Sequence, residues 1–161
     1  MRRLAVLLAL SATAAFAQSG TFTTRSLTPE TALKAAQAAL AKCRADGFQV
    51  AVAVVDRSGV TQVALRDRFA GAHTVGAATD KAWTAVSFRS STSDLGKISG
   101  PHEPSSGVRH FQRVNVVGGG VVIQAQGAQV GGIGVSGAPG GANDEACAMA
   151  GIKAIADELE F

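Results

Sequence analysis

The hydrophobic and polar positions of the first half of the chain predict a helix, a hairpin and a second helix. A stripe at helical spacing follows Thr28-Pro29-Glu30, which places a hydroxyl, a proline and an acid where a helix begins. Runs of β-forming residues at 48–55 and 60–65 flank a turn at 56–59 and predict a hairpin, with both faces of the first strand apolar. Helical spacing returns over residues 74–88. The two helical stripes consist of Leu33, Ala36, Leu40 and Cys43, and of Val75, Ala78, Ala82 and Val86.

The second half predicts three more strands and a closing helix. The strands cover residues 114–117, 121–126 and 129–136, and Gly127-Ala128 forms a tight turn between the last two. The stretch before them is polar and rich in Gly, Pro and Ser, and it predicts a long loop with one short helix near residues 92–97. Asn143-Asp144-Glu145 predicts the start of the last helix. Because hairpins dominate, the order predicts an α+β fold with a five-stranded antiparallel sheet flanked by helices.

The first 17 residues have the pattern of a secretory signal peptide. Arg2 and Arg3 precede a short apolar run, and Ala15-Phe16-Ala17 is a small-x-small cleavage signal. We therefore expect a secreted or periplasmic protein, with a flexible tail over residues 18–26 and a single domain over residues 27–161.

The net charge and the two cysteines limit the kinds of partner and bond that the sequence predicts. Without the signal peptide, 13 basic residues face 12 acidic ones, a net charge of +1. No basic patch interleaved with aromatic residues is visible, and no later segment is long and apolar enough for a membrane span, so neither nucleic acid nor a bilayer is an expected partner. Cys43 and Cys147 have no metal-binding spacing, and either a disulfide or two buried thiols fits the sequence.

The sequence Gly132-Ile133-Gly134-Val135-Ser136-Gly137 matches the dinucleotide fingerprint G-x-G-x-x-G. That fingerprint needs a strand, a glycine turn and a helix inside a βαβ unit. Here residues 139–142 intervene before the helix and no parallel strand follows, which argues against a Rossmann site. Two interpretations stay open: the glycines allow close packing, or they lead into a helix N-terminus that binds an anion.

Three motifs together resemble the GlcG/HbpS haem-binding family, which also includes the C-terminal domain of PduO-type cobalamin adenosyltransferases. They are DKAWTA at residues 80–85, VVGGGV at 116–121 and GGIGVSG at 131–137, with an acidic helix start at Asp144. The resemblance covers most of the chain after the signal peptide and implies a profilin-like, five-stranded fold, a haem ligand and a homo-oligomer. The loop at residues 96–113 is longer than the family pattern.

The resemblance directs attention to possible haem contacts. Haem iron needs an axial donor, most often His, and the candidates are His73, His102 and His110, of which His102 and His110 also suggest a metal other than haem. Arg109 and Arg113 are candidates for pairing with propionates. The alternative is that these are solvent-facing loop residues. By family position, one pocket would be lined by Lys81, Thr84, Gly119, Gly120, Gly134 and Ser136.

Lys81 is the candidate for holding a carboxylate, with a solvated helix charge as the alternative. No catalytic triad, paired carboxylates or metal signature stands out, which favours a binding protein over an enzyme. The leading hypothesis is a secreted haem- or tetrapyrrole-binding protein that stores, senses or transfers its small-molecule ligand. The alternatives are a binding module for a small carboxylate metabolite and a haem-degrading or corrinoid-handling enzyme.

Overall fold

A four-stranded antiparallel sheet lies between helices in the computed structural model, which describes residues 20–160. The strand order is β2-β1-β4-β3, so the two apolar strands are central. The turn between β3 and β4 is centred on Gln126 and Gly127, whose φ values of 50° and 76° match a two-residue hairpin turn of type I′. The strands are β1 Ala51–Asp56, β2 Thr61–Arg66, β3 Gly120–Ala125 and β4 Ala128–Ser136.

Five α-helices and one short 3-10 helix complete this part of the chain. The predicted start of the first helix is confirmed, because the Thr28 side chain accepts a hydrogen bond from the Thr31 amide. The last predicted helix is divided in two, with Ile155 buried at the break. The helices are α1 Pro29–Ala45, α2 Thr74–Phe88, α3 Thr92–Ile98, the 3-10 helix Ser106–His110, α4 Gly141–Lys153 and α5 Ala156–Leu159.

The α+β class and the antiparallel sheet are confirmed, but the prediction of five strands is wrong. Residues 114–117 form no strand because side chains from α2 and α3 take up their backbone groups. The Asn115 amide donates to Thr84 Oγ1 at 3.0 Å, and Thr92 Oγ1 donates to the Val117 carbonyl at 2.8 Å. An apolar run of four residues cannot by itself show whether a strand or a side chain will pair with it.

The predicted domain layout begins with a signal peptide and a flexible tail. The predicted signal peptide lies outside the described residues. Residues 20–26 form neither helix nor strand. Thr24 accepts a hydrogen bond from the Arg57 guanidinium, while the flexibility of the tail stays a prediction. Within residues 20–160, no helix combines the length and hydropathy needed to cross a membrane.

The two faces of the sheet pack against different helices. Alternating β1 and β4 residues, such as Val52 and Ile133, pack against α1 and α4 in the main core. The other face carries Ala51, Ala53 and Val55 and packs against α2. Because successive strand residues point to opposite faces, a central strand covered on both sides needs this continuous apolar run.

A disulfide joins the two helices of the main core. Cys43 of α1 and Cys147 of α4 are bonded, with 5.6 Å between their Cα atoms, and both are fully buried. The bond settles the alternative that the sequence left open. It closes a sequence separation of 104 residues and therefore restricts the unfolded chain strongly.

We expect the double substitution Cys43→Ala/Cys147→Ala to lower the free energy of unfolding by about 2–5 kcal/mol, because a long loop is no longer closed in the unfolded state. Urea titration of the oxidised and substituted proteins measures this difference. Thiol counting on the denatured, unreduced wild-type protein should find no free thiol. Two free thiols there would contradict the bond.

The glycines of β4 permit the close approach of α2. A Cβ added at Gly134 would lie 2.0 Å from the Ala78 carbonyl oxygen, and one at Gly132 would lie 2.7 Å from a Val86 methyl carbon. Gly120 of β3 is equally restricted, at 2.3 Å from the Lys81 carbonyl oxygen. The packing interpretation of the glycine motif therefore holds for Gly132 and Gly134.

Gly134→Ala should lower the free energy of unfolding by about 1–3 kcal/mol or more, since the helix has to move away from the sheet. The matched control is Gly76→Ala in α2, where an added Cβ meets nothing within 4 Å. That control should raise the stability by up to about 1 kcal/mol through helix propensity. Equal thermal midpoints for the two variants would show that the contact is looser than the structure indicates.

Candidate functional site

A cleft of about 690 Å³ opens at the end of the sheet where β4 leaves for α4. Its wall includes the N-terminal part of α2, the segment Ser136–Gly141 and the loop before α2. The volume lies within the range of about 300–1,000 Å³ that is usual for small-molecule sites. Among the predicted site residues, the cleft brings together His73, Lys81 and Ser136.

A buried ion pair forms the floor of the cleft. Lys81 Nζ donates to Asp144 Oδ2 at 2.7 Å and to the Val135 carbonyl at 3.0 Å. Lys81 is 2 % and Asp144 3 % exposed, so the interpretation of Lys81 as a solvated helix charge is wrong. Asp144 Oδ1 accepts the Ala138 amide at 3.0 Å and so also holds the glycine-rich turn.

Asp144 has a different role from the one predicted. The residue before the first turn of α4 is Gly140, and the Asp144 carboxylate leaves the helix to meet Lys81. The sequence contained a signal for this partnership. Lys81 lies three residues after Ala78 and four before Ala85, which are both buried, so its charge needed an acidic partner.

The hydroxyl of Ser136 lies in the wall of the cleft. The residue is 8 % exposed, and its hydroxyl makes no hydrogen bond with any described residue. A buried hydroxyl usually has a partner, so its free bonding capacity is available to a ligand or water.

The rim of the cleft is aromatic and carries an imidazole. His73 is exposed just before α2, and its ring lies against Gly71, where an added Cβ would be 2.7 Å from Cε1. No described residue bonds to its nitrogens. Phe69 is 80 % exposed beside it, and the partly buried Phe48 lies on the wall. An unpaired imidazole next to exposed apolar rings is a suitable environment for a flat, metal-containing ligand.

The other residues of the predicted pocket lie beneath the cleft wall. Thr84 is fully buried, and it holds the segment at residues 113–115 through the Asn115 amide. Gly120 and Gly134 lie against the α2 backbone, and Gly119, with φ of 119°, lies close to Asp144 and Lys81. Packing gives each of them a structural role, and direct ligand contact stays a prediction.

The loop candidates lie away from the cleft. Arg109 donates to the Ser99 carbonyl and, at 2.8 Å, to the Gly96 carbonyl at the end of α3. Arg113 pairs with Asp80 at 3.2 Å and lies 4.8 Å over the Trp83 ring, so this tryptophan is covered by a cation. Both arginines thus have partners within the protein, and their pairing with propionates stays a prediction.

The two loop histidines are exposed and do not line the cleft. His102 has a positive φ of 73°, and His110 ends the 3-10 helix. Across residues 20–160, no group of three or more His, Cys, Asp or Glu side chains is arranged to hold a metal ion. The assignment of a metal to His102 and His110 therefore has no further support from neighbouring ligands.

A second, apolar groove of about 730 Å³ runs between β3 and the last helices. Met149, Ile152 and Leu159 lie along it, and Lys153 and Glu160 are its charged members. It has no imidazole and no buried polar group directed into it. The cleft above Lys81 is therefore the better candidate for a ligand that needs specific polar contacts.

Comparison with known proteins places this geometry in a family. A family model described as haem degrading protein HbpS-like matches residues 27–153. The chain belongs to the HbpS-like family. A double mutant of HbpS from Streptomyces reticuli is 40 % identical, with a TM-score of 0.79 and coverage of 89 % of this chain and 97 % of that chain.

Other solved structures extend the likeness. A PduOC:heme complex is 30 % identical, with a TM-score of 0.76 and coverage of 81 % of this chain and 95 % of that one. The ORFY protein of Klebsiella pneumoniae shares the fold at 23 % identity, with a TM-score of 0.83 and coverage of 87 % and 97 %. The relation to PduO-type proteins inferred from the motifs is thus confirmed. The comparison with curated proteins found no match.

We expect Lys81→Met to lower the free energy of unfolding by about 3–5 kcal/mol, because it leaves Asp144 as an uncompensated buried charge. The double variant Lys81→Met/Asp144→Asn should recover much of this loss, since no charge remains and the amide oxygen can still accept the Ala138 N–H. Denaturant titration measures all three proteins.

The matched control is Lys97→Met, which breaks the exposed pair of Lys97 with Asp94. Its loss should be much smaller, because exposed pairs contribute little. If Lys81→Met is no more destabilising than Lys97→Met, the ion pair does not hold the floor of the cleft.

Proposed function

We propose that this protein binds haem or a related tetrapyrrole in the cleft above Lys81 and stores, senses or transfers it. The observation that carries the proposal is the position of His73. Of the three candidate histidines it is the one that lines a cleft, and its ring nitrogens have no partner among the described residues. A neutral imidazole is the most common axial donor to haem iron.

The residues of the cleft fit such a ligand. Phe69 and Phe48 offer apolar surface for a flat macrocycle, while Lys81 and Ser136 place polar groups at depth. Cavities that bind cofactors combine a mostly apolar wall with a few directed polar groups. When bound, haem would supply the redox and ligand chemistry of its iron. The protein would hold the group, orient it through His73 and exclude water from one face.

The comparisons support the choice of ligand. The family model is described by haem degradation, and the PduOC structure is a heme complex. The family model matches residues 27–153, which include the cleft-lining positions from Phe48 to Asp144, and the PduOC structure covers 81 % of this chain. Secretion and a homo-oligomeric state, which the sequence predicts, belong to this proposal as further expectations.

A hemin titration tests the proposal. Hemin added to the purified protein should give a sharpened Soret band that saturates at a fixed stoichiometry. His73→Ala should shift that band and weaken binding about tenfold or more, which corresponds to about 1.4 kcal/mol. His102→Ala and His110→Ala are the matched controls, because these side chains are exposed and lie outside the cleft.

Two results would contradict the proposal in different ways. A spectrum of free hemin at excess protein would exclude haem binding. A Soret band that changes in His102→Ala or His110→Ala, but not in His73→Ala, would place the ligand on the loop instead of in the cleft.

Haem degradation is the second candidate, favoured by the description of the matching family model. With bound hemin and an added reductant, a degrading enzyme would show loss of the Soret band, growth of bilin absorbance and release of iron. A binding protein would keep the porphyrin intact under the same conditions.

A further inference from the structure

The hydroxyl of Ser136 is positioned by the strand rather than held by a partner. Gly132, Gly134 and Ser136 share one face of β4, because alternate strand residues point the same way. The α2 backbone covers the two glycines: added Cβ atoms there would meet Ala82 and Ala78 atoms. The helix α2 begins at Thr74. Ser136, two residues after Gly134, therefore lies at the N-terminal end of α2 and opens to the cleft.

Other donors belong to residues that line the same cleft as this hydroxyl. The Lys81 ammonium has three N–H bonds, of which Asp144 and the Val135 carbonyl accept two. Gly141, the first residue of α4, also lines the cleft, with the Gly118 backbone packed against it, and its amide has no acceptor among the described residues. One Lys81 N–H, the Gly141 N–H and the Ser136 hydroxyl thus lack a partner among the described residues.

The charges of the cleft allow an anion to enter. Asp144 is the sole acid among the described residues that line the cleft, and its two oxygens are already occupied by Lys81 and the Ala138 amide. The first turn of α4 adds the positive end of a 13-residue helix, part of which Asp144 in the same turn offsets. A group that offers only acceptors fits these donors, and a carboxylate is such a group.

We infer that Ser136, Lys81 and the Gly141 amide form a carboxylate-binding subsite where the wall of the cleft meets its floor, which takes a carboxylate substituent of the bound ligand. The inference rests on the proposed function in that a tetrapyrrole with propionate groups is the ligand that carries this carboxylate. His73 at the rim and this subsite would then hold opposite parts of one molecule.

A metal-free porphyrin tests the subsite independently of iron. Protoporphyrin IX and its dimethyl ester are titrated into the purified protein, and binding is followed by porphyrin fluorescence and quenching of Trp83. The free acid should bind about tenfold more tightly than the ester, because esterification removes the charge-assisted hydrogen bonds. Ser136→Ala should weaken the acid severalfold and the ester much less, because a neutral ester carbonyl accepts a weaker hydrogen bond than a carboxylate.

Ser136→Ala distinguishes a binding role from a structural role, because the hydroxyl that it removes makes no hydrogen bond with any described residue. We therefore expect the variant to keep the wild-type thermal midpoint, whereas a purely structural role would lower that midpoint and the affinity for both porphyrins together. Ser87→Ala, on the exposed side of α2 and outside the cleft, is the matched control and should change neither affinity.

The outcomes separate the two proposals. Equal affinities for acid and ester in the wild type, or an unchanged acid affinity in Ser136→Ala, would overturn the carboxylate subsite while tetrapyrrole binding stands. Failure of both porphyrins and of hemin to bind would overturn the proposed function and, with it, the subsite.

Discussion

The close contact between α2 and the glycine face of β4 is the constraint on which the rest of this structure depends. At Gly134 the helix backbone occupies the space that a side chain would need, and Gly120 repeats this on β3. Because the helix lies so near the sheet, the Lys81 ammonium can reach both the Val135 carbonyl of β4 and Asp144 of α4. The same contact decides where α2 stops covering the sheet, and the cleft begins there.

The Lys81–Asp144 pair joins elements from opposite sides of the sheet. Lys81 belongs to α2, and Asp144 belongs to α4, which packs in the other core and is bonded to α1 through Cys147. Burying two charges is costly, and their attraction repays this only with good geometry and further hydrogen bonds. Here the Val135 carbonyl and the Ala138 amide supply those bonds, so the pair also fixes the turn that walls the cleft.

The glycine-rich segment has one part that packs under α2 and another part that lines the cleft. Gly132 and Gly134 are covered by α2, whereas Ser136 and Gly141 line the cleft, where Gly141 also packs against the Gly118 backbone. Of the two interpretations of the motif, packing holds for Gly132 and Gly134, and anion binding is our proposal for the residues that follow them. Strand alternation explains how they coexist, because one face of β4 passes from beneath α2 into the cleft within a few residues.

The sequence by itself determined most of the helices, the hairpins and the antiparallel class, since these follow from local periodicity, caps and turns, and three short motifs carried the resemblance to the family. It placed α1 from its capping residues and α2 from its apolar stripe. Only the tertiary structure showed that residues 114–117 bond to side chains of α2 and α3 in place of a neighbouring strand. Only the tertiary structure also showed that Lys81 bonds to Asp144, 63 residues away. It likewise showed that His73 lines the cleft and that the loop histidines do not. The physical reason is that hydrogen-bond partners and burial depend on which distant segments meet, and residue spacing along the chain does not specify that.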